Sequence, residues 1–230
     1  MGRLVVVFLF LLVGCTADVL VTQEPESFFG ARPLRPGQMD LGVRMMQHGQ
    51  VTNQPVFYGI GAGYGLGRDW EARAGWALAG WHWRASDSTQ LLLNAVELRG
   101  RRQLLEDGPF RLAAGGGCDL FLGDPGGGRA VEYYGFRPML QAAAGVYTDV
   151  GFGLFVPLAV SGTFLRPEQA VGWSITPGAG VALEQEYFFL RVACNLPFGR
   201  FIEGQSHELR TMAPSAGLEL GGRFNLFGGR

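Results

Sequence analysis

The sequence predicts an all-β fold, a closed antiparallel transmembrane β-barrel of about ten strands in up-and-down order, on three observations. Apolar residues recur at every second position in most segments, the period of a strand whose two faces meet different media. The chain is apolar on average and glycine-rich, with Gly at 37 of 230 positions and 17% charged residues, against roughly 25% in a usual soluble domain. Past residue 14 it nevertheless has no apolar run near the roughly 20 residues of a membrane-spanning helix. Lipid-facing and lumen-facing residues that alternate cancel in any hydropathy window, so a barrel is greasy without a hydropathy peak.

The first strand is expected over about 39 to 47, with Asp40 and Arg44 on one face. In the second, Val56, Tyr58, Ile60, Ala62, Tyr64 and Leu66 alternate with Gly59, Gly61, Gly63 and Gly65. A helix of that sequence would carry glycine on every face. Strands three to six, over about 69 to 83, 89 to 103, 109 to 122 and 133 to 147, alternate less regularly. The seventh sets Val150, Phe152, Leu154, Val156, Leu158, Val160 and Phe164 against Gly151, Gly153, Ala159, Ser161 and Thr163. The eighth sets Val171, Trp173, Ile175, Ala179, Val181 and Leu183 against Gly172, Ser174, Thr176, Gly178 and Gly180. The ninth covers about 186 to 198, and in the tenth Leu218, Leu220, Phe224 and Leu226 alternate with Glu219, Gly221, Arg223 and Asn225. Spanning strands have to close, because an open edge in hydrocarbon leaves N–H and C=O groups unpaired at several kcal/mol each. A water-soluble sandwich or lipocalin-like barrel would put charge outside and bulk inside. Here one face of nearly every strand lacks charge and the other is too small to fill a sandwich core.

Connections alternate in length. Gly67-Arg68, Glu106-Asp107-Gly108, Thr148-Asp149 and Glu184-Gln185 read as tight polar turns. Gly49 to Gln54, Ala85 to Ser88, Gly123 to Ala130, Leu165 to Gln169 and Gly199 to Thr211 form the longer set. Membrane barrels pair short turns on one side with longer loops on the other. Trp70, Trp81, Trp83, Tyr133, Tyr134 and the run Tyr187 to Phe189 fall at strand ends, where aromatic girdles form.

An arginine and an apolar run from Leu4 to Gly14 lead into Leu12-Val13-Gly14-Cys15, the shape of a secretory signal too short to span a bilayer. The quartet resembles the lipobox of bacterial lipoproteins, which implies that Cys15 is acylated and begins the mature chain. An ordinary signal cut near Ala17, with Cys15 discarded, is the alternative reading. Thr16 after the cysteine implies, by the same resemblance, sorting to the outer membrane. The expected organisation is a signal peptide over 1–14, a lipidated periplasmic tether over 15–38 carrying Pro25, Pro33, Pro36 and the Phe28-Phe29 pair, and a barrel over 39–230. From about Gln38 to Phe227 the chain resembles the broad group of small bacterial outer-membrane β-barrel proteins; a lipid holding the N-terminus at the periplasmic leaflet makes the short connections periplasmic and puts both termini on that side. The chain departs from that group's C-terminal aromatic by ending Phe227-Gly228-Gly229-Arg230, with Phe224 and Phe227 as the nearest counterparts.

Strand parity assigns the lumen. Asp40, Arg44, Glu71, Arg73, Glu97, Arg99, Arg101, Arg111, Asp119, Arg137, Gln141, Arg191, Asn195, Glu219 and Arg223 are expected to point inward, as pairs two residues apart share a face. Strands two, seven and eight supply Gly, Ala, Ser and Thr, so a smooth arc faces a charged one. Two outcomes follow: paired charges in a closed, structural barrel, or a narrow pore whose arginine surplus favours small anionic or neutral solutes. A third reading is a rim enzyme acting on lipid or peptide, resting on His82 near Ser86, Asp87 and Ser88 and on His207 between Ser206 and Glu208. His48, His82 and His207 are the only histidines, with no His-x-x-x-His or Cys-x-x-Cys spacing, so no cofactor or metal is expected. Cys118 and Cys194 fall on non-adjacent strands and are expected to be free thiols facing lipid. The formal net charge of −1 argues against nucleic acid and leaves outer-membrane lipid as the expected partner.

Overall fold

The computed structural model describes residues 31–48, 57–82, 90–124, 133–166, 170–203, 207–211 and 215–226. They form β1 (Gln38–His48), β2 (Phe57–Gly67), β3 (Trp70–His82), β4 (Gln90–Asp107), β5 (Phe110–Asp124), β6 (Tyr133–Tyr147), β7 (Phe152–Arg166), β8 (Ala170–Glu184), β9 (Phe188–Asn195), β10 (Phe198–Glu203), β11 (His207–Thr211) and β12 (Ser215–Asn225). Each of β1 to β8 pairs antiparallel with the next, β9 pairs with both β8 and β12, and β12 pairs with β1, which closes the ring. Twelve segments fill ten positions. β10 continues the ninth position past Leu196-Pro197 and still pairs with β8, while β11 pairs with β10 and precedes β12 in the tenth.

The stagger follows from the register. A path along paired residues from Tyr147 through Gly153, Ala182, Arg191, Glu219, Arg44, Gly59, Ala77, Ala95 and Phe121 returns to β6 at Gly135, twelve residues from its start. At roughly 3.3 Å per residue against ten strands spaced roughly 4.8 Å, that stagger tilts the strands by about 40° and sets a Cα-to-Cα diameter of about 20 Å. Side chains from opposite walls meet across such a space.

Burial alternates cleanly, as along β7, where Phe152, Leu154, Val156, Leu158 and Val160 are exposed and Gly153, Phe155, Pro157, Ala159 and Ser161 are buried. The exterior is therefore a continuous apolar belt, with Ile60 57% and Leu140 71% exposed. No contiguous surface of that extent is stable against water, whereas a bilayer is the solvent it fits. Among the described residues no helix is long and apolar enough to cross a membrane; the strands do the crossing.

The short connections are turns at one end. Asp69 adopts φ 68° between Arg68 and Trp70, and Gly108 adopts φ 50° ahead of Pro109, the backbone that tight hairpins require. The chain enters β1 and leaves β12 at this turn-side end, where Gln38 pairs with Asn225. Three sequence expectations are corrected here. The stretch from Gly199 to Thr211, read as a loop, contains β10 and β11, paired antiparallel from Gly199 with Thr211 to Glu203 with His207; Pro197, which lacks an N–H for the ladder, lies between β9 and β10. Glu184, read as part of a turn, is the last residue of β8 and 3% exposed. Phe189, grouped with the girdle, is buried inside the barrel, whereas Trp70, Tyr134, Tyr187 and Phe188 are exposed. The side chains of Trp81, Trp83 and Tyr133 lie outside the described residues. Cys118 and Cys194 are free, on β5 and β9.

Candidate functional site

Among the described residues, charged side chains converge in the barrel interior. At its turn-side end Arg191 is fully buried. Its Nε donates to Glu184 at 2.8 Å, its Nη1 donates to Glu219 at 2.9 Å, and Nη2 stands 3.8 Å from Asp40. The same guanidinium lies 4.7 Å from the ring centroid of Phe189. Arg73 bridges Asp40 at 3.3 Å, Glu219 at 3.2 Å and Glu71 at 3.7 Å. Arg101 donates to Glu71 at 2.7 Å, and Arg223 stands 3.7 Å from Glu184. Each carboxylate so placed answers more than one arginine, the condition under which ions taken out of water recover their lost hydration.

Further toward the loops, Arg44 meets Glu97 at 2.7 Å, and Asp119 lies between Arg99 and Arg137. The register explains why some of these pairs cross the lumen. Arg73 faces Arg99 directly across β3 and β4, and Glu97 faces Asp119 across β4 and β5. Like charges opposite one another repel; Arg73 reaches Asp40 on β1 and Glu219 on β12, and Glu97 is met by Arg44 from β1, whereas Asp119 pairs with neighbouring strands, with Arg137 directly opposite it on β6 and with Arg99 on β4. Arg44 on β1 reaches Glu97 on β4 by lying over the inward glycines of β2 and β3 between them. A Cβ on Gly61 would stand 3.1 Å from the Arg44 guanidinium, and one on Gly75 would stand 2.9 Å from the Glu97 carboxylate. The glycine floor thus makes room for a cross-lumen ion pair. Gly75→Val should displace it and lower barrel stability by about 1–3 kcal/mol, the usual cost of overpacking, read from the urea midpoint of the refolded protein; an unchanged midpoint would mean that the floor is merely small.

Residues 31 to 37 are not outside this assembly. Ala31 and Leu34 are buried, and Ala31 packs with Ala143, Tyr147, Phe155, Ala182 and Ala193 from the inner wall. The Ala31 N–H donates to the Tyr147 hydroxyl at 3.1 Å, and the Leu34 N–H donates to Glu71 at 2.7 Å. Arg101 donates to the Arg32 carbonyl at 3.0 Å, and Gly37 donates to the Gly65 carbonyl at 2.9 Å. A Cβ on Gly65 would collide with the Arg35 carbonyl, so the segment lies flush against β2. The last part of the stretch read as a tether folds into the turn-side mouth of the barrel, where backbone groups without a ladder find side-chain partners.

Of the residues expected to line the lumen, Glu71, Glu97, Asp119, Arg137, Gln141, Arg191, Glu219 and Arg223 are buried, while Arg73 and Arg99 are nearly so. Arg111 sits apart, at the turn-side rim, paired with the exposed Glu106 at 2.8 Å. Sequence reasoning missed Glu184, Phe155, Tyr147 and the 31–37 segment. Glu184 matters most: with it, the inward carboxylates Asp40, Glu71, Glu97, Asp119, Glu184 and Glu219 nearly balance the inward arginines, and the expected arginine surplus shrinks. On the loop side Ser161 and Ser174 hydroxyls are 2.8 Å apart, while Thr163, Thr176 and Asn195 keep a buried polar atom without a protein partner among the described residues. Ordered water is the usual occupant of such a place. Among the described residues no group of His, Cys, Asp and Glu could hold a metal ion. Cys15, the signal segment and the side chains of His48, His82 and His207 lie outside the described residues.

No family model matches the chain, and no curated protein matches it. Solved barrels are similar in fold. The β-domain of the Bordetella autotransporter BrkA is 12% identical with a TM-score of 0.46, covering 82% of this chain and 98% of that one. LpxR from Salmonella typhimurium is 9% identical with a TM-score of 0.45, covering 80% and 99%. The N-terminal β-barrel domain of Pseudomonas aeruginosa OprF is 13% identical with a TM-score of 0.34, covering 83% and 100%.

Proposed function

We propose that this chain is an outer-membrane β-barrel lipoprotein with an occluded interior, that both termini face the periplasm, and that it serves the membrane as a structural component and not as a solute pore. One observation carries this reading: residues 31 to 37 lie across the turn-side mouth, held by Glu71, Arg101 and Tyr147, with Ala31 and Leu34 buried. An anion-selective pore needs positive charge facing water. Here the buried arginines face carboxylates. Proteoliposomes carrying the folded chain should admit radiolabelled small neutral and anionic solutes no faster than protein-free liposomes. Uptake tenfold above that control would restore the pore reading.

The membrane address rests on Leu12-Val13-Gly14-Cys15. Cys15→Ala should abolish incorporation of a labelled fatty acid while leaving the barrel in the membrane fraction, because the strands are held by lipid on their own account. Equal labelling of parent and variant would remove Cys15 as the acylated residue.

A further inference from the structure

Most outward positions of the barrel carry Leu, Val, Phe and Trp toward lipid. Small residues face outward at Ala114, Gly116, Ala142 and Ala144 on β5 and β6, and near the turn-side end across β2 to β4. Ala62, Ala72, Ala74 and Gly100 line an apolar groove of about 670 Å³ flanked by Tyr64 and Leu98. A Cβ on Gly100 would find no atom nearer than the Glu71 carbonyl oxygen at 4.0 Å, so the groove is open above it. That volume is within the roughly 300–1,000 Å³ of small-ligand sites.

One pleat closer to the turns, Arg102 pairs with Trp70 across β3 and β4, and its guanidinium lies 5.9 Å from the centroid of the indole. Both side chains are exposed. Among the described residues on the outward faces, charge stands here, at Asp107 at the turn-side end of β4, and at Arg166 at the loop-side end of β7. No carboxylate among the described residues partners Arg102, unlike the inward arginines.

We propose that this groove and Arg102 together form a glycerophospholipid site, with the lipid phosphate on the guanidinium and one acyl chain along the alanine and glycine floor. A groove surrounded by lipid gains nothing from hydrophobic transfer, since acyl tails are as apolar as leucine; what distinguishes one lipid is the fit of its chain and the chemistry of its head. The guanidinium fork matches phosphate oxygens, and Trp70 sits at the level where aromatic rings meet headgroups. Arg102 and Gly100 are separated by about 7 Å along the strand, a span that a glycerol backbone bridges. The proposal requires that the barrel span a bilayer, not that its interior be closed.

The test is native mass spectrometry of the full chain, released in mild detergent from nanodiscs of equal phosphatidylglycerol and phosphatidylcholine. The expected result is one retained phosphatidylglycerol per barrel. Ala72→Leu and Gly100→Leu, which fill the groove from its lipid side, should each cut retention at least fivefold without altering the heat-resistant folded band. Arg102→Gln should leave a lipid bound but erase the preference for phosphatidylglycerol, which keeps the test decisive should a groove variant fail to fold. Retention indifferent to all three substitutions would overturn the site. So would a retained mass that proves covalent, the chain's own acyl groups, or one equal to a second copy of the chain.

Discussion

Arg191→Ala should be the most destabilising single substitution in the barrel wall, with a loss of about 3–5 kcal/mol. The residue is fully buried and shared by Glu184, Glu219 and Asp40, so its removal leaves carboxylates facing one another in a space that water does not reach. The expected observation is a urea transition of the refolded chain moved to much lower denaturant, or an absence of the heat-resistant band. Replacing Glu184 and Glu219 by Gln in the same chain should recover a large part of the loss, because neutral amides side by side carry no repulsion. A single variant within about 1 kcal/mol of the parent would show that the ion pairs contribute little.

The second large effect concerns conduction. Deleting residues 31 to 36 should turn a silent barrel into one that passes ions, since the segment occupies the turn-side mouth and its donors and acceptors are the inner wall's own partners. Gly65→Val should act the same way without removing any residue, because its side chain takes the place of the Arg35 carbonyl. Both variants should give steps in planar bilayers at least tenfold more often than the parent. Silence from both, in protein with a parent-like heat-resistant band, would mean that the ion pairs alone close the lumen.

The alternation of residues such as Val171, Trp173 and Ile175 with Gly172, Ser174 and Thr176 made the strands legible, because a half-buried strand writes its two faces into sequence with period two. The tight turns made the strand order legible for the same local reason. Glu184 and Phe189 were not, since they stand at the ends of one hairpin, where a shift of a single residue changes the assigned face. Cross-lumen partners were less legible still. Parity turns Arg44 and Glu97 inward, but their meeting depends on the twelve-residue stagger and on glycines in strands between them. The 31–37 segment, with Pro33 and Pro36 and no periodicity, reads as linker because its burial depends on a cavity that exists only once ten strands have closed.

The occluded interior is tested most directly by recording from the folded full-length chain in planar bilayers at 1 M salt, where even a narrow aqueous path carries measurable current. The account predicts a membrane as quiet as one without protein across the full voltage range, with insertion shown independently by protease protection. Reproducible open steps from the parent chain, with selectivity for anions, would contradict it.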